Sequence, residues 1–125
     1  MRSVPIAVVA AVVALAAAPA LADDVMAGYY GNTIVSTGGM AEIHTHFRAD
    51  HSFDMSGSMM GMTRTFQGHW ALDGKGNVCR TFEGEAPKNT PNPLCTPVIA
   101  HKVGDRWTIE TNGNTRALML EAGVE

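Results

Sequence analysis

Two histidines separated by one residue, in the segment His44-Thr45-His46, carry side chains with the chemistry of metal ligands. Alternate residues of a β-strand share a face, so the two imidazoles would stand about 7 Å apart. Asp54 and His51 follow nearby, and imidazole suits zinc, copper or nickel. The simpler interpretation is a polar strand face on which His46 and Asp54 form a cross-strand pair. We favour it, because a metal site requires three convergent ligands.

Four methionines within residues 55–62 offer a second kind of chemistry. Thioethers select Cu(I), so this run could serve copper together with the histidines. Met55 and Met62 fall at positions expected to face a core, where methionine commonly fills gaps. Met59 and Met60 lie in a Gly/Ser-rich hairpin loop, where flexible side chains could contact an apolar ligand. The predicted ligand-binding residues are Met55, Met59, Met60, Met62, Arg64 and Phe66.

Cys79 and Cys95 are the only cysteines of the chain. In an exported protein, one pair of cysteines in a small domain is most simply a disulfide. The residues between them are rich in Pro, Gly and Asn, which predicts a long loop, and closing it should add roughly 3 kcal/mol of stability. A redox pair would be expected as C-x-x-C, and two thiolates are too few for a structural zinc site.

Recognisable catalytic motifs are absent from the sequence. No serine lies in a Gly-x-Ser-x-Gly segment and no His-Glu-x-x-His segment occurs, although both are signatures of common hydrolases. With the cysteines expected to be paired, no nucleophile stands out. We therefore expect a protein that is not an enzyme and has no cofactor, with copper or zinc as the alternative if the histidines bind metal.

The first 22 residues have the layout of a secretory signal peptide. Met1-Arg2 is basic, residues 6–19 are largely Ala and Val, and Ala20-Leu21-Ala22 forms a small-x-small cleavage signal before Asp23. Residues 23–125 are then the exported protein, long enough for one domain. No later apolar segment has the length of a membrane span, so we expect no integral membrane span.

The charge of the exported segment disfavours two classes of partner. The whole chain has a net charge of −3, and removing Arg2 makes it −4. Nucleic-acid binding depends on neutralising phosphates, which an acidic chain without a basic stripe does poorly. An anionic membrane surface is disfavoured for the same reason. The expected partner is a small apolar molecule, a metal ion or another protein.

After residue 30, short runs of alternating apolar and polar residues are separated by Gly, Asn, Asp and Pro, which is typical of antiparallel β-structure. The predicted strands are Asn32–Thr37, Met40–Arg48, Ser52–Gly57, Met62–Leu72, Asn77–Phe82, Thr96–Lys102, Asp105–Thr111 and Thr115–Glu121. We expect an all-β fold, either a small antiparallel up-and-down barrel or a curled sandwich of about eight strands. Tyr29-Tyr30 is expected to cover one end of the barrel.

Aromatic residues define the expected register of one hairpin. Phe47 and Phe53 share a buried face only when they lie opposite each other, since a slip of one residue would set Phe47 against Ser52. This register puts His46 opposite Asp54 on the polar face. Other positions predicted to face the core are Met62, Arg64, Trp70, Trp107 and Leu118.

Several short segments together resemble a known group of proteins. In chain order they are Gly31-Asn32-Thr33, Phe47…Asp50…Phe53, Gly68-His69-Trp70, Asp73-Gly74…Cys79, Cys95 and Gly104-Asp105-Arg106-Trp107. This order resembles small proteobacterial periplasmic proteins described as lipocalin-like. The resemblance implies a lipocalin-like barrel and a periplasmic location, and it carries no catalytic residues. The histidine pair and the methionine run depart from the group's pattern.

These observations lead to three functional hypotheses. The first is a non-enzymatic periplasmic protein that binds a small apolar or lipid-like ligand in the barrel or at its mouth. The second is a periplasmic binder of copper or another transition metal that uses His44, His46, His51 and Asp54 with the methionine run. The third is a module for protein–protein interaction or inhibition that uses exposed loops.

Overall fold

The computed structural model describes residues 25–111 and 113–124. Within these ranges a single helical turn spans residues 25–27 and precedes eight β-strands. They are β1 (Asn32–Thr37), β2 (Glu42–Phe47), β3 (Ser52–Met59), β4 (Met62–Leu72), β5 (Asn77–Phe82), β6 (Leu94–Pro97), β7 (Arg106–Thr111) and β8 (Asn114–Ala122). The predicted signal peptide, residues 1–22, lies outside the described residues. No helix in the described part of the chain is long and apolar enough to cross a membrane.

All eight strands belong to one antiparallel sheet that curls into a nearly closed barrel. The strand order is β6-β5-β4-β3-β2-β1-β8-β7, so β8 pairs with β1 and sequence order is kept around the ring. β6 and β7 are the edges, and no ladder joins them within the described residues. The predicted up-and-down barrel is therefore confirmed.

The predicted hairpin register is confirmed in the ladder between β2 and β3. Phe47 lies opposite Phe53, with ring centroids 6.3 Å apart, and both are buried. His46 lies opposite Asp54 on the outer face. His46 is only 6% exposed, so this pair is more buried than a polar strand face would suggest.

β3 runs further than predicted, because a two-residue turn joins it to β4. The ladder continues to Met59 opposite Met62, and the two residues between them, Met60 and Gly61, have φ angles of 53° and 80°. Positive φ at both central residues is the geometry of the tight turn whose twist matches a β-hairpin. Met59, Met60 and Met62 of the methionine run therefore form the tip of a regular hairpin.

β6 differs most from its prediction of Thr96–Lys102. It starts at Leu94, opposite Arg80, and ends at Pro97, opposite Asn77. Proline has no N–H to continue a ladder, so it suits the end of an edge strand. The chain then leaves the sheet through residues 98–105 before β7 begins.

The predicted disulfide is confirmed and joins the strands β5 and β6. Cys79 and Cys95 are directly opposite each other in this ladder, and their sulfur atoms are bonded. No free cysteine remains. The disulfide thereby closes the long 83–93 loop at its base.

The barrel core is built around aromatic rings. Phe53, Trp70 and Phe47 are 1%, 3% and 4% exposed, as predicted. Trp107 and Leu118 are only partly buried, and they pack against this core. The interior is therefore less completely filled near β7 and β8.

Two residues predicted for the core, Met62 and Arg64, are exposed instead. β4 has 11 residues, but only Gly68–Leu72 pair with β5. The first half of β4 pairs with β3 on one side and, among the described residues, has no paired strand on the other side. Alternation thus predicts the face of a residue but not how far the sheet around it extends.

The N-terminal turn closes one end of the barrel, which we call the plugged end and define by residues 25–31, 48–51 and 98–105. Met26 is fully buried and Tyr29 is 3% exposed, which confirms the expected cover. Tyr29 Oη donates a hydrogen bond to the Ile99 carbonyl at 2.6 Å. A Cβ on Gly28 would lie 2.0 Å from the His101 carbonyl oxygen, so only glycine fits there. The opposite end, residues 38–41, 60–61 and 83–93, is called the loop end.

Candidate ligand-binding cavity

A cavity of about 270 Å³ lies inside the barrel. Tyr29 of the plugged end lines it, and so do Pro87, Thr90 and Pro91 of the 83–93 loop. Pro91 is exposed, so the cavity meets the surface at the loop end. The walls include Ile34, Phe47, Met55, Val78, Trp107 and Leu118.

Short side chains at inward-facing strand positions leave this space. Ser36, Thr45 and Thr96 come from β1, β2 and β6, and all three are buried residues of the lining. An eight-stranded barrel is only just wide enough for its side chains to fill, so small residues at these positions produce a cavity. Their hydroxyls supply neutral polar groups to a wall that is mostly apolar.

The charge of the lining is entirely positive. Two arginines, Arg80 and Arg116, contribute to it, and no aspartate or glutamate does among the described residues. Neither arginine forms an ion pair with a described residue. A buried positive charge is uncommon without a partner, because charged groups lose hydration on burial.

Arg80 lies on β5 and contributes to the cavity lining. Its Nη2 donates a hydrogen bond to Thr96 Oγ1 at 3.2 Å. Its Nη1 lies 3.8 Å from the Met55 sulfur, and its guanidinium carbon lies 6.0 Å from the centre of the Phe47 ring. The Nε atom is buried and has no hydrogen-bond partner among the described residues. Burial lowers the pKa of Arg80 to about 10, because apolar surroundings disfavour the charged form.

Arg116 projects from β8 nearer the loop end, and its Nε and Nη2 atoms already donate hydrogen bonds. Nε donates to Ser36 Oγ at 2.7 Å, while Nη2 donates to the carbonyl oxygens of Ser36 and Ala41 at 3.1 and 2.9 Å. These bonds fasten the end of β1 and the loop that follows it. Arg116 therefore adds positive charge beside the cavity while acting as a structural clamp.

The 83–93 loop forms the outer wall of the cavity and is held at its base. The disulfide joins the two strands that flank it. Inside that link, the Phe82 amide donates to Asn92 Oδ1 at 3.0 Å. On the outside, Arg64 Nη2 donates to Glu85 Oε1 at 2.6 Å, an exposed ion pair. The loop is thereby fastened at both its base and its outer side.

Of the residues predicted to bind ligand, the structure places Met55 in the cavity lining. Met59, Met60 and Met62 are 43%, 88% and 71% exposed at the loop end, away from the lining. The methionine run is thus divided between the interior and the rim of the barrel.

The two other residues predicted to bind ligand are occupied elsewhere. Arg64 is on the surface in its pair with Glu85. Phe66 packs edge-on against Phe82, with ring centroids 6.3 Å apart, and does not line the cavity. The structure therefore brings neither residue to the cavity wall.

The two histidines of the proposed metal site form separate hydrogen-bonded pairs on the outer face. His44 Nε2 lies 2.7 Å from Glu42 Oε2. His46 Nδ1 lies 2.7 Å from Asp54 Oδ1, and its Nε2 lies 3.1 Å from Thr33 Oγ1. Both ring nitrogens of His46 are therefore engaged by protein groups, as the cross-strand interpretation predicts.

His51, the third histidine of that hypothesis, lies at the plugged end. Its ring stacks on Trp70 with centroids 4.1 Å apart. No group of three His, Cys, Asp or Glu side chains is arranged to hold a metal within residues 25–111 and 113–124. The methionines at the hairpin tip lie at the opposite end of the barrel from His51.

Asp54 lies on the outer face, where its carboxylate forms hydrogen bonds with the side chains of His46 and Arg48. Its partial burial alone would raise its pKa, but the hydrogen bonds from these two side chains outweigh that effect. The pKa of Asp54 therefore lies below its ordinary value. This carboxylate is part of the wall of the barrel and points away from the cavity.

Sequence reasoning missed both arginines of the cavity, although a signal was present. Arg80 lies between Val78 and Phe82 in the alternation of β5, at a position that faces the core. Arg116 shares its face of β8 with Leu118 in the same way. A charged residue at an apolar position of a strand is the pattern that would have identified them.

No family model, curated protein or solved structure matches this chain. The lipocalin-like resemblance therefore stays a prediction, and function has to be argued from the cavity itself.

Proposed function

We propose that the protein is a non-enzymatic binding protein that holds a small, largely apolar molecule inside its barrel. The observation that carries this proposal is the cavity of about 270 Å³, with its apolar walls and few polar groups. Small-molecule sites have this composition, and they commonly span roughly 300–1,000 Å³. A cavity just below that range suits a ligand with a short chain or a single ring.

The placement of acid–base pairs supports binding over catalysis. Among the described residues, His46 with Asp54 and His101 with Asp105 are the pairs of this kind in which both partners are at least partly buried, and none of these four residues lines the cavity. A general base must reach the substrate within hydrogen-bond distance. The groups that do face the cavity are hydroxyls and guanidinium donors, which orient a ligand.

We further propose that the protein works in the periplasm after removal of residues 1–22. The disulfide indicates an oxidising, secreted environment, because thiols are kept reduced in the cytosol. The predicted signal peptide and the resemblance to periplasmic proteins point to the same compartment. A ligand bound there would be taken from the envelope or from the medium.

Binding of neutral apolar probes, octanol by calorimetry and N-phenylnaphthylamine by fluorescence, tests the proposal. Ile43 lies on the cavity wall, so Ile43→Trp adds a ring to the space itself and should weaken binding about tenfold or more. Thr65 is exposed on β4, so Thr65→Trp adds the same ring outside the barrel and should bind as the wild type does.

Circular dichroism of both variants shows whether each is folded. Folded wild type that binds neither probe would contradict the proposal, as would equal binding by the two tryptophan variants. Native mass spectrometry of protein expressed in the periplasm should also reveal a co-purified small molecule, released when the protein is denatured.

A further inference from the structure

We propose that the molecule held in the cavity is a small amphiphile with a carboxylate group, and that Arg80 binds this carboxylate. The inference rests on the proposed function and goes beyond it by naming the chemistry of the ligand. Four features of the cavity carry it.

The first feature is a charge without a counter-ion. Arg80 contacts a hydroxyl, a thioether and an aromatic face, and no carboxylate lies in the lining among the described residues. Buried charges in proteins are normally paired, because an unpaired one loses hydration without compensation. An anion entering the cavity would provide that pairing.

The second feature is the set of donors that Arg80 leaves unused. A guanidinium has five N–H donors in a rigid planar fork. One donor reaches Thr96 and another faces the weak acceptor sulfur of Met55, while Nε has no partner in the described part of the chain. Two parallel N–H donors match the two oxygens of a carboxylate, and such bidentate pairs are the stronger charge-assisted bonds.

The third feature is the contrast between Arg80 and Arg116. Two nitrogens of Arg116 already donate to Ser36 and Ala41, so its guanidinium is committed to the wall. It still brings a second positive charge to the side where the cavity meets the surface. Arg116 would therefore attract an anion toward the barrel, and Arg80 would bind it.

The fourth feature is the apolar surface around Arg80. Phe47 and Met55 lie against the guanidinium, and Val78 precedes it on the same face of β5. A small inorganic anion would leave these walls uncovered, whereas an alkyl or aryl group would cover them. With about 270 Å³ available, that apolar part is short.

Octanoate and octanol, which share one chain length and differ in the head group, provide the test. Wild type should bind octanoate roughly ten- to a hundredfold more tightly than octanol in titration calorimetry, as expected for hydrogen bonds to a charged group. Arg80→Met should lose this preference and keep its affinity for octanol. Arg80→Lys should retain part of the preference, because an ammonium keeps the charge but not the fork.

Arg106→Met is the matched control. Arg106 is exposed on β7 and lies outside the cavity lining, so this variant removes the same charge without touching the site. It should bind octanoate as the wild type does. Equal loss of octanoate binding in Arg106→Met would show that net charge, and not Arg80, produces the preference, and would overturn the proposal.

The outcomes separate this inference from the proposed function. Wild type that binds octanol and octanoate equally would overturn the carboxylate inference and leave the binding function intact. Wild type that binds neither would contradict the proposed function itself. A preference for octanoate that persists in folded Arg80→Met would also overturn the role of Arg80, and the wild-type comparison stands even if that variant does not fold.

Discussion

At the plugged end of the barrel, aromatic rings are packed against one another and several of their polar atoms are hydrogen-bonded, although buried His101 Nε2 has no partner among the described residues. His51 stacks on Trp70 and His101 on Trp107, with centroids 4.1 and 3.6 Å apart. Trp70 Nε1 donates to the Arg48 carbonyl, just as the Tyr29 hydroxyl donates to the Ile99 carbonyl. At the loop end, exposed methionines form the hairpin tip, and the cavity beneath the 83–93 loop contains an arginine with an unpaired Nε.

The difference between the two ends separates what the barrel needs for stability from what it needs for ligand binding. The plugged end combines close ring packing with hydrogen bonds and has His101 Nε2 as its exception, and this packing stabilises the barrel. The cavity violates both rules locally, since it leaves space unfilled and a charge unpaired. Unfilled space and an unpaired charge are expected where a protein binds a ligand, and the rest of the fold has to offset their cost in stability.

The largest change in the free energy of unfolding should come from removing an aromatic ring at the plugged end. Trp70 is 3% exposed and contacts both Phe47 and His51. Trp70→Ala should lower the free energy of unfolding by about 3–5 kcal/mol, because it leaves a large void. Met60→Ala at the hairpin tip should change it by less than about 0.5 kcal/mol, since Met60 is 88% exposed.

Urea denaturation of the two variants measures this difference directly. Comparable losses in Trp70→Ala and Met60→Ala would break the comparison, because the two ends would then contribute equally to stability. Loss of folding in Trp70→Ala alone agrees with it.

The second effect concerns the disulfide, which supports the loop end. Replacing both cysteines in Cys79→Ala/Cys95→Ala should cost roughly 3 kcal/mol for a separation of 16 residues. We expect hydrogen exchange to rise most at the Phe82 amide, which donates to Asn92 beside the loop. The Trp70 amide, which donates to the His51 carbonyl at 2.8 Å, should be affected less.

Hydrogen exchange followed by mass spectrometry resolves the two regions. Local opening near the loop changes exchange there without global unfolding. An equal increase in hydrogen exchange at both amides would mean that the two ends unfold together. The two ends would then not differ in their dynamics.

The sequence predicts the architecture well because alternation and turn residues are local signals. The pairing of Phe47 with Phe53 followed from two aromatic residues and a short turn, and the disulfide followed from the cysteine count and compartment. The error at Met62 has a different origin. Its exposure depends on where β5 ends, which is a property of another part of the chain.

The cavity could not be predicted in the same way. A cavity depends on which side chains from six or more strands fail to fill a shared volume, and single-strand patterns do not contain that information. The pairing of His46 with Asp54 could be predicted from the hairpin register. Its contact with Thr33 could not, because Thr33 lies on β1, on the other side of β2. The sequence pattern places the charged residue Arg80 at a core position, but it does not show that Arg80 has no ion-pair partner among the described residues.

A third prediction sharpens the contrast between stability and binding at Arg80. The pKa of Arg80, lowered to about 10 by burial, indicates that holding the charge opposes folding by roughly 3 kcal/mol. Arg80→Met replaces the guanidinium with apolar bulk and gives up one hydrogen bond to Thr96. The free energy of unfolding should therefore rise by about 1–3 kcal/mol at neutral pH.

Chemical denaturation without ligand provides the measurement, and Arg106→Met, a change on the outer surface, should leave stability nearly unchanged. If Arg80→Met is more stable but has lost the preference for carboxylates, Arg80 contributes to ligand binding and lowers the stability of the fold. A loss of more than about 1 kcal/mol would instead make Arg80 a structural residue.

The smallest effect is the alkaline behaviour of Tyr29 at the plugged end. Burial and the nearby negative charge of Asp105 raise its pKa from 10.0 to about 12. Below about pH 10 the phenol is neutral in both folded and unfolded chains, and its hydrogen bond to Ile99 contributes about 1 kcal/mol. Between about pH 10 and 12 the unfolded chain ionises and the folded one does not, so this contribution is lost as pH rises.

Tyr29→Phe removes the hydrogen bond and the ionisation together, which makes it a test of both. In urea denaturation the wild type should be about 1 kcal/mol more stable than the variant near pH 7, and this gap should shrink to near zero around pH 11. A gap that stays constant with pH would mean that the phenol reaches solvent and ionises in the folded protein. The plugged end would then be open to water, and the contrast with the loop end would be one of packing alone.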